Sequence, residues 1–130
     1  MKKILIIDDD QDISYIVEMV LSVSYDTMIV SNASRIISVY QQFLPDLMII
    51  DNFIAQRTAI DVVKELKLSS GGETAPYILF SAASNIAQLA SDIEASAFLP
   101  KPFHLSDLSL VVDRVLREHA ERRGASQLSK

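Results

Sequence analysis

Ile4-Leu5-Ile6-Ile7-Asp8-Asp9-Asp10 is the stretch on which the reading of this chain turns. Four consecutive apolar residues, three of them β-branched, run without the polar alternation of a strand that has one wet face. Such a run suits a short strand covered on both sides. It breaks abruptly into three carboxylates. Behind them Ile13, Ile16, Val17, Val20 and Leu21 recur at helical spacing, with acids where a helix N-terminus favours negative charge. A doubly buried strand that ends in acids and feeds a helix is the opening of a β-α-β unit.

The same alternation continues outward from this start. Tyr25–Val30 reads as a second strand and Ser34–Phe43 as a second helix. Leu47–Ile50 is a third strand, introduced by Pro45-Asp46, and Thr58–Leu68 a third helix that ends in Ser69-Ser70-Gly71-Gly72. Tyr77–Phe80, then Asn85–Ile93, then Ala97–Leu99, then Leu105–His119 complete the series. Five β-then-α units predict an α/β fold, a doubly wound parallel sheet of five strands with five helices on its two faces. The five-strand count fits the flavodoxin-like order 2-1-3-4-5. Pro100 cannot donate to a ladder, so the fifth strand is expected at an edge.

The chain has 130 residues, 12 Lys plus Arg against 17 Asp plus Glu, and so a formal net charge of −5. With 49% hydrophobic residues it can build one core, and residues 1–120 are expected to form a single domain. Residues 121–130, poor in apolar side chains, are expected as a disordered tail, with no effector domain in this chain. An acidic balance argues against nucleic-acid binding by this chain. The absence of cysteine excludes disulfides and thiolate chemistry. No apolar stretch approaches a membrane span, so a cytoplasmic domain with no membrane partner is expected.

In an open parallel sheet, ligands bind beyond the carboxyl ends of the strands where the strand order reverses, here between strands one and three. Asp8 and Asp9 leave the first of these and Asp51 the other, so at least three carboxylates converge. Like charges so packed need a cation, and oxygen donors without imidazole or thiolate favour Mg²⁺. Strand four ends in the hydroxyl of Ser81, followed by the small Ala82 and Ala83. Strand five ends in Lys101 between Pro100 and Pro102. Acid pair, acid, hydroxyl and lysine are the parts needed to handle a phosphoryl group.

The motifs ILIIDDD at the start, PDLMIID at 45–51, ILFSAA at 78–83 and AFLPKPF at 97–103 together resemble the receiver domains of two-component response regulators. The resemblance spans residues 3–119. It implies that Asp51 is the phosphoacceptor and that Asp8, Asp9 and Asp51 hold Mg²⁺ with the backbone carbonyl of Phe53. It further implies that Ser81, Ala82 and Lys101 bind the phosphoryl group, and that Ser81 and Phe98 form the switch. Pro102 is implied to follow a cis peptide bond. The donor would be a sensor histidine kinase or a histidine phosphotransfer protein. The readout would be a downstream protein target or a self-dimer, bound at the face of the fourth helix, fifth strand and fifth helix. No enzyme is implied beyond Mg-dependent self-phosphorylation from small donors and slow self-dephosphorylation.

Three departures from the family stand out. Ala55 and Ala59 occupy positions where it usually has proline and glycine, the loop NFIAQRT is unusually apolar, and Phe98 lacks the hydroxyl of a common tyrosine. The first two motivate an alternative, a phosphorylation-independent receiver-like interaction module. An aspartate-nucleophile phosphatase, suggested by Asp8-x-Asp10, would leave the strand-three acid unexplained. Aspartates stand where a nucleotide-binding turn needs glycines. Plainer roles are expected elsewhere: Asp10 as a helix cap, His104 in the turn that starts the last helix, and Arg57, Arg122 and Arg123 as solvated charges. Met19, Met28 and Met48 are expected in the core.

Overall fold

The computed structural model describes residues 1–54 and 56–128. Along the chain run β1 (Lys3–Ile7), α1 (Gln11–Leu21), β2 (Asp26–Val30), α2 (Ile36–Phe43), β3 (Leu47–Asp51), β4 (Phe53–Ile54), β5 (Arg57–Thr58), α3 (Ala59–Ser69), β6 (Tyr77–Ser81), α4 (Ile86–Asp92), β7 (Ala97–Pro100) and α5 (Leu105–Leu128). A 3-10 turn, Ala33–Arg35, precedes α2. Five strands form one parallel sheet in the order β2-β1-β3-β6-β7, while β4 and β5 make a separate two-residue hairpin. Counting only the sheet strands, this is the expected 2-1-3-4-5 order, with the strand that carries Pro100 at an edge.

The continuous apolar runs have a simple cause: both faces of the sheet are covered. Leu5, Ile7, Met48, Ile50, Tyr77 and Leu79 pack with Ile36, Val62, Leu66 and Ile86 of α2, α3 and α4. The alternate residues Ile4, Ile6, Leu47, Ile49, Ile78 and Phe80 pack with Val17 and Leu21 of α1 and Leu108, Val112 and Val115 of α5. Each such side chain withdrawn from water contributes about 1.5–3 kcal/mol before chain entropy is counted.

Register then places the functional ends. Ile7 pairs with Ile50, so the next residues, Asp8 and Asp51, leave adjacent strands at the same level. Asp51 pairs with Phe80 and Ser81 with Pro100, which puts Ser81 and Lys101 on the same lip.

Several details differ from the sequence expectations. The last helix runs to Leu128 instead of ending at His119, so residues 121–128 are helical where a disordered tail was expected, and 129–130 lie outside the described residues. Apolar periodicity stops near Leu116, but pairs of opposite charge one turn apart, Arg114–Glu118 and Arg122–Glu118, support the helix beyond it. Met48 is buried as expected, whereas Met19 (55% exposed) and Met28 (42% exposed) lie on outer faces of α1 and the edge strand β2.

The 53–58 segment, expected as a plain loop, pairs as an antiparallel hairpin, Phe53 with Thr58 and Ile54 with Arg57. Of its apolar pair, Phe53 is 60% exposed and Ile54 is fully buried. Positive φ falls on Gln56 (71°), and Ala59 begins a helix behind the Thr58 cap. Ala55 lies outside the described residues.

Candidate functional site at the carboxyl lip of the sheet

Asp8 is the deepest acid of the site, only 3% exposed. Its backbone N–H donates to the Val30 carbonyl at 3.2 Å, and its Oδ1 accepts the Asp10 N–H at 2.9 Å. Asp10 itself turns away and caps α1, accepting from the N–H groups of Asp12 and Ile13 as expected. Burial pushes the Asp8 carboxyl up to about 6, helped by the neighbouring negative charge of Asp51 and opposed by the Asp10 hydrogen bond and by Lys101.

Lys101 reaches into this acid group from the far edge of the sheet. Its Nζ lies 3.0 Å from Asp51 Oδ1 and 3.5 Å from Asp8 Oδ2. The 101–102 peptide bond is cis, as the resemblance implies. The Lys101 backbone N–H donates to the Ser81 carbonyl at 2.9 Å, which ties the lysine's own backbone to the end of β6.

Asp8, Asp9 and Asp51 each offer a carboxylate oxygen, and these oxygens lie within 4.8 Å of one another. A compact set of hard carboxylate oxygens fits a small divalent cation such as Mg²⁺. The Phe53 carbonyl, the remaining expected donor, lies in the hairpin. Because the Ala59 N–H already donates to the Asn52 carbonyl at 2.9 Å, the alternation of an antiparallel ladder makes Phe53–Thr58 the non-hydrogen-bonded pair. The Thr58 N–H accordingly donates to Asp61, and the Phe53 carbonyl is left outside the ladder.

Ser81 is buried (4% exposed), and its Oγ accepts the Ala83 N–H at 3.0 Å. A hydroxyl that accepts one bond still has its proton to donate. Ala82 follows at the same strand end. Phe98 is the expected residue that the structure does not bring to the crevice. It is 40% exposed and, with Ala87, Ala90 and Ser91 of α4 and Val111 and Arg114 of α5, lines a groove of about 570 Å³ whose lining does not include Ser81.

One pair, between the hairpin and α3, was not expected from the sequence. Arg57, expected as a solvated charge, pairs with Glu65 two turns into α3. The signal was available: Asp61 and Glu65 fall four residues apart on one helical face just behind Arg57.

The response regulator receiver domain is the family whose model matches residues 4–113. The chain is 25% identical over 123 residues to DNA-binding response regulator MtrA of Mycolicibacterium smegmatis, covering 92% of this chain and 53% of that protein. It is 29% identical over 119 residues to probable transcriptional regulator ycf27 of Porphyridium aerugineum, covering 89% and 48%. The chain thus spans about half the length of the curated relatives it matches.

Among solved structures it is similar to the N-terminal domain of the nisin resistance regulator NsrR, with a TM-score of 0.79 and 27% identity over 89% of this chain and 98% of that one. It is also similar to NtrX from Brucella abortus, with a TM-score of 0.87 and 27% identity over 98% of this chain but 30% of that one. Among the described residues no helix is long and apolar enough to cross a membrane. The family match favours phosphoacceptance over the phosphorylation-independent alternative. With four motifs in order, an acid crevice bridged by a lysine, and a match over most of its length, the chain belongs to the receiver domains of two-component response regulators.

Proposed function

We propose that Asp51 accepts a phosphoryl group from a phosphohistidine on a sensor kinase or phosphotransfer protein. A carboxylate oxygen of Asp51 attacks phosphorus, the P–N bond breaks, and the imidazole nitrogen leaves with the electron pair and takes up a proton. The observation that carries this reading is the Lys101 ammonium, 3.0 Å from Asp51 and 3.5 Å from Asp8 in a crevice walled by strand ends. An ammonium so placed fixes the attacking carboxylate and offsets charge on an incoming phosphoryl oxygen.

Asp8, Asp9, Asp51 and the Phe53 carbonyl would hold Mg²⁺, which when bound supplies positive charge against the phosphoryl oxygens. Ser81 donates its remaining hydroxyl proton to one oxygen, and the Ala82 backbone N–H is offered to another. In this reading the receiver unit is residues 1–120, it works in the cytoplasm, and its turnover is limited to self-phosphorylation from small donors and slow self-dephosphorylation. Phosphorylation shifts the population between two packings at the α4–β7–α5 face, where Phe98 stands, and so alters binding to a downstream target or a second copy.

Transfer of labelled phosphoryl from a phosphohistidine donor, with and without a chelator, tests the assignment. Wild type should acquire a Mg²⁺-dependent, hydroxylamine-sensitive label, and Asp51→Asn should acquire none. Equal labelling of the two proteins removes Asp51 from the role.

A further inference from the structure

The Arg57–Glu65 pair lies outside the acid crevice, yet it is fastened to the loop that carries the Phe53 carbonyl. Seven residues separate Asp51 from the first residue of α3, and the Phe53 carbonyl lies among them. That segment turns through a non-glycine residue with positive φ, Gln56, a conformation L side chains disfavour. Among the described residues, four contacts hold it. The Ala59 N–H closes onto the Asn52 carbonyl at 2.9 Å, the fully buried Ile54 side chain anchors the outgoing strand, and Thr58 and Asp61 form a capping box. The fourth is Arg57, which sits opposite Ile54 in the ladder and pairs with Glu65 on α3. The first three pin the ends and the outgoing strand. The last reaches one turn further along α3 than the cap does, from Arg57 beside Gln56 to Glu65.

We propose that Arg57, held by Glu65, is a positioning residue for the divalent cation: it staples the 53–58 hairpin to α3 and so sets the Phe53 carbonyl against Asp8, Asp9 and Asp51. The inference rests on the cation site of the preceding reading. Its physical content is geometric, because Mg²⁺ demands near-octahedral oxygens at about 2.0–2.1 Å while Ca²⁺ accepts longer and irregular shells. A loosened carbonyl therefore weakens Mg²⁺ more than Ca²⁺.

Electrostatics and positioning predict opposite signs for one substitution, which makes the test decisive. If charge alone mattered, Arg57→Ala would remove a positive neighbour and tighten cation binding, while Glu65→Ala would weaken it. If the pair positions the loop, both single variants weaken Mg²⁺, by about fivefold, and the double variant is no worse than either. Mg²⁺ and Ca²⁺ titrations of the full chain are run on wild type, both single variants, the double variant and the charge swap Arg57→Glu with Glu65→Arg. Expected are a loss of Mg²⁺ affinity in both singles, a smaller loss for Ca²⁺, and recovery in the swap. Tighter Mg²⁺ binding by Arg57→Ala, equal losses for both ions, or no change overturns the inference while wild type still binds Mg²⁺. If wild type itself fails to bind Mg²⁺, it is the cation site that fails.

Discussion

Asp8 shows how one side chain can be costly to the fold and useful to the site. Its carboxyl is pushed from 3.8 up to about 6 chiefly by burial, so the folded protein holds this proton more tightly than the unfolded chain does. The stabilising contribution is therefore present in acid and is lost as pH rises from about 4 through 6. The full penalty above that window is about 3 kcal/mol. An asparagine side chain in its place would not titrate. Denaturant unfolding of Asp8→Asn and wild type in chelator, at pH 4 and pH 7, should show the variant gaining on wild type by up to about 3 kcal/mol at the higher pH. A gap that does not change with pH would mean Asp8 is no more protonated in the fold than out of it. The acid cluster was legible in the sequence because its members end strands of known order. The unequal burial of the three was not, since neighbours from separate strands and loops decide it.

Caps and hairpins separate what local sequence encodes from what the surroundings impose. Asp10 was readable as a cap because its acceptor role is satisfied within three residues, by Asp12 and Ile13. The hairpin of β4 and β5 was not readable, because it lacks the Asn-Gly or Asp-Gly pair that marks most two-residue turns. It is held by burial of Ile54 and by a side chain on the next helix. The far half of α5 was missed for a related reason: the apolar stripe stops near Leu116, and charge pairs run on as far as Arg122. Asp10→Ala should lower stability by about 1 kcal/mol in urea while changing Mg²⁺ affinity by no more than about twofold. A tenfold loss of Mg²⁺ affinity would make Asp10 a ligand and not merely a cap.

The sheet divides the interior into two apolar layers that do not share side chains, one under α2, α3 and α4 and the other under α1 and α5. Leu66 and Val112, both fully buried, sit in opposite layers. Leu66→Ala should cost about 2–5 kcal/mol and Val112→Ala somewhat less, because it removes fewer atoms. Their effects on the unfolding free energy should add to within about 0.5 kcal/mol. A large deviation from additivity would mean that the layers communicate through the sheet. This two-layer plan was the most legible property of all, since only a sheet covered on both faces needs uninterrupted runs such as Ile4–Ile7 and Leu47–Ile50.

Lys101 follows the border strand, yet its ammonium rests on Asp51 at the end of β3 and on Asp8 just past β1, the latter strand three spacings away, about 14 Å across the sheet. β7 has a hydrogen-bonded neighbour on one side only. The lysine thus stretches as a guy-rope from the margin of the molecule to its middle, and on the switch reading proposed above a change of its hitch at the centre would be felt along that outer seam.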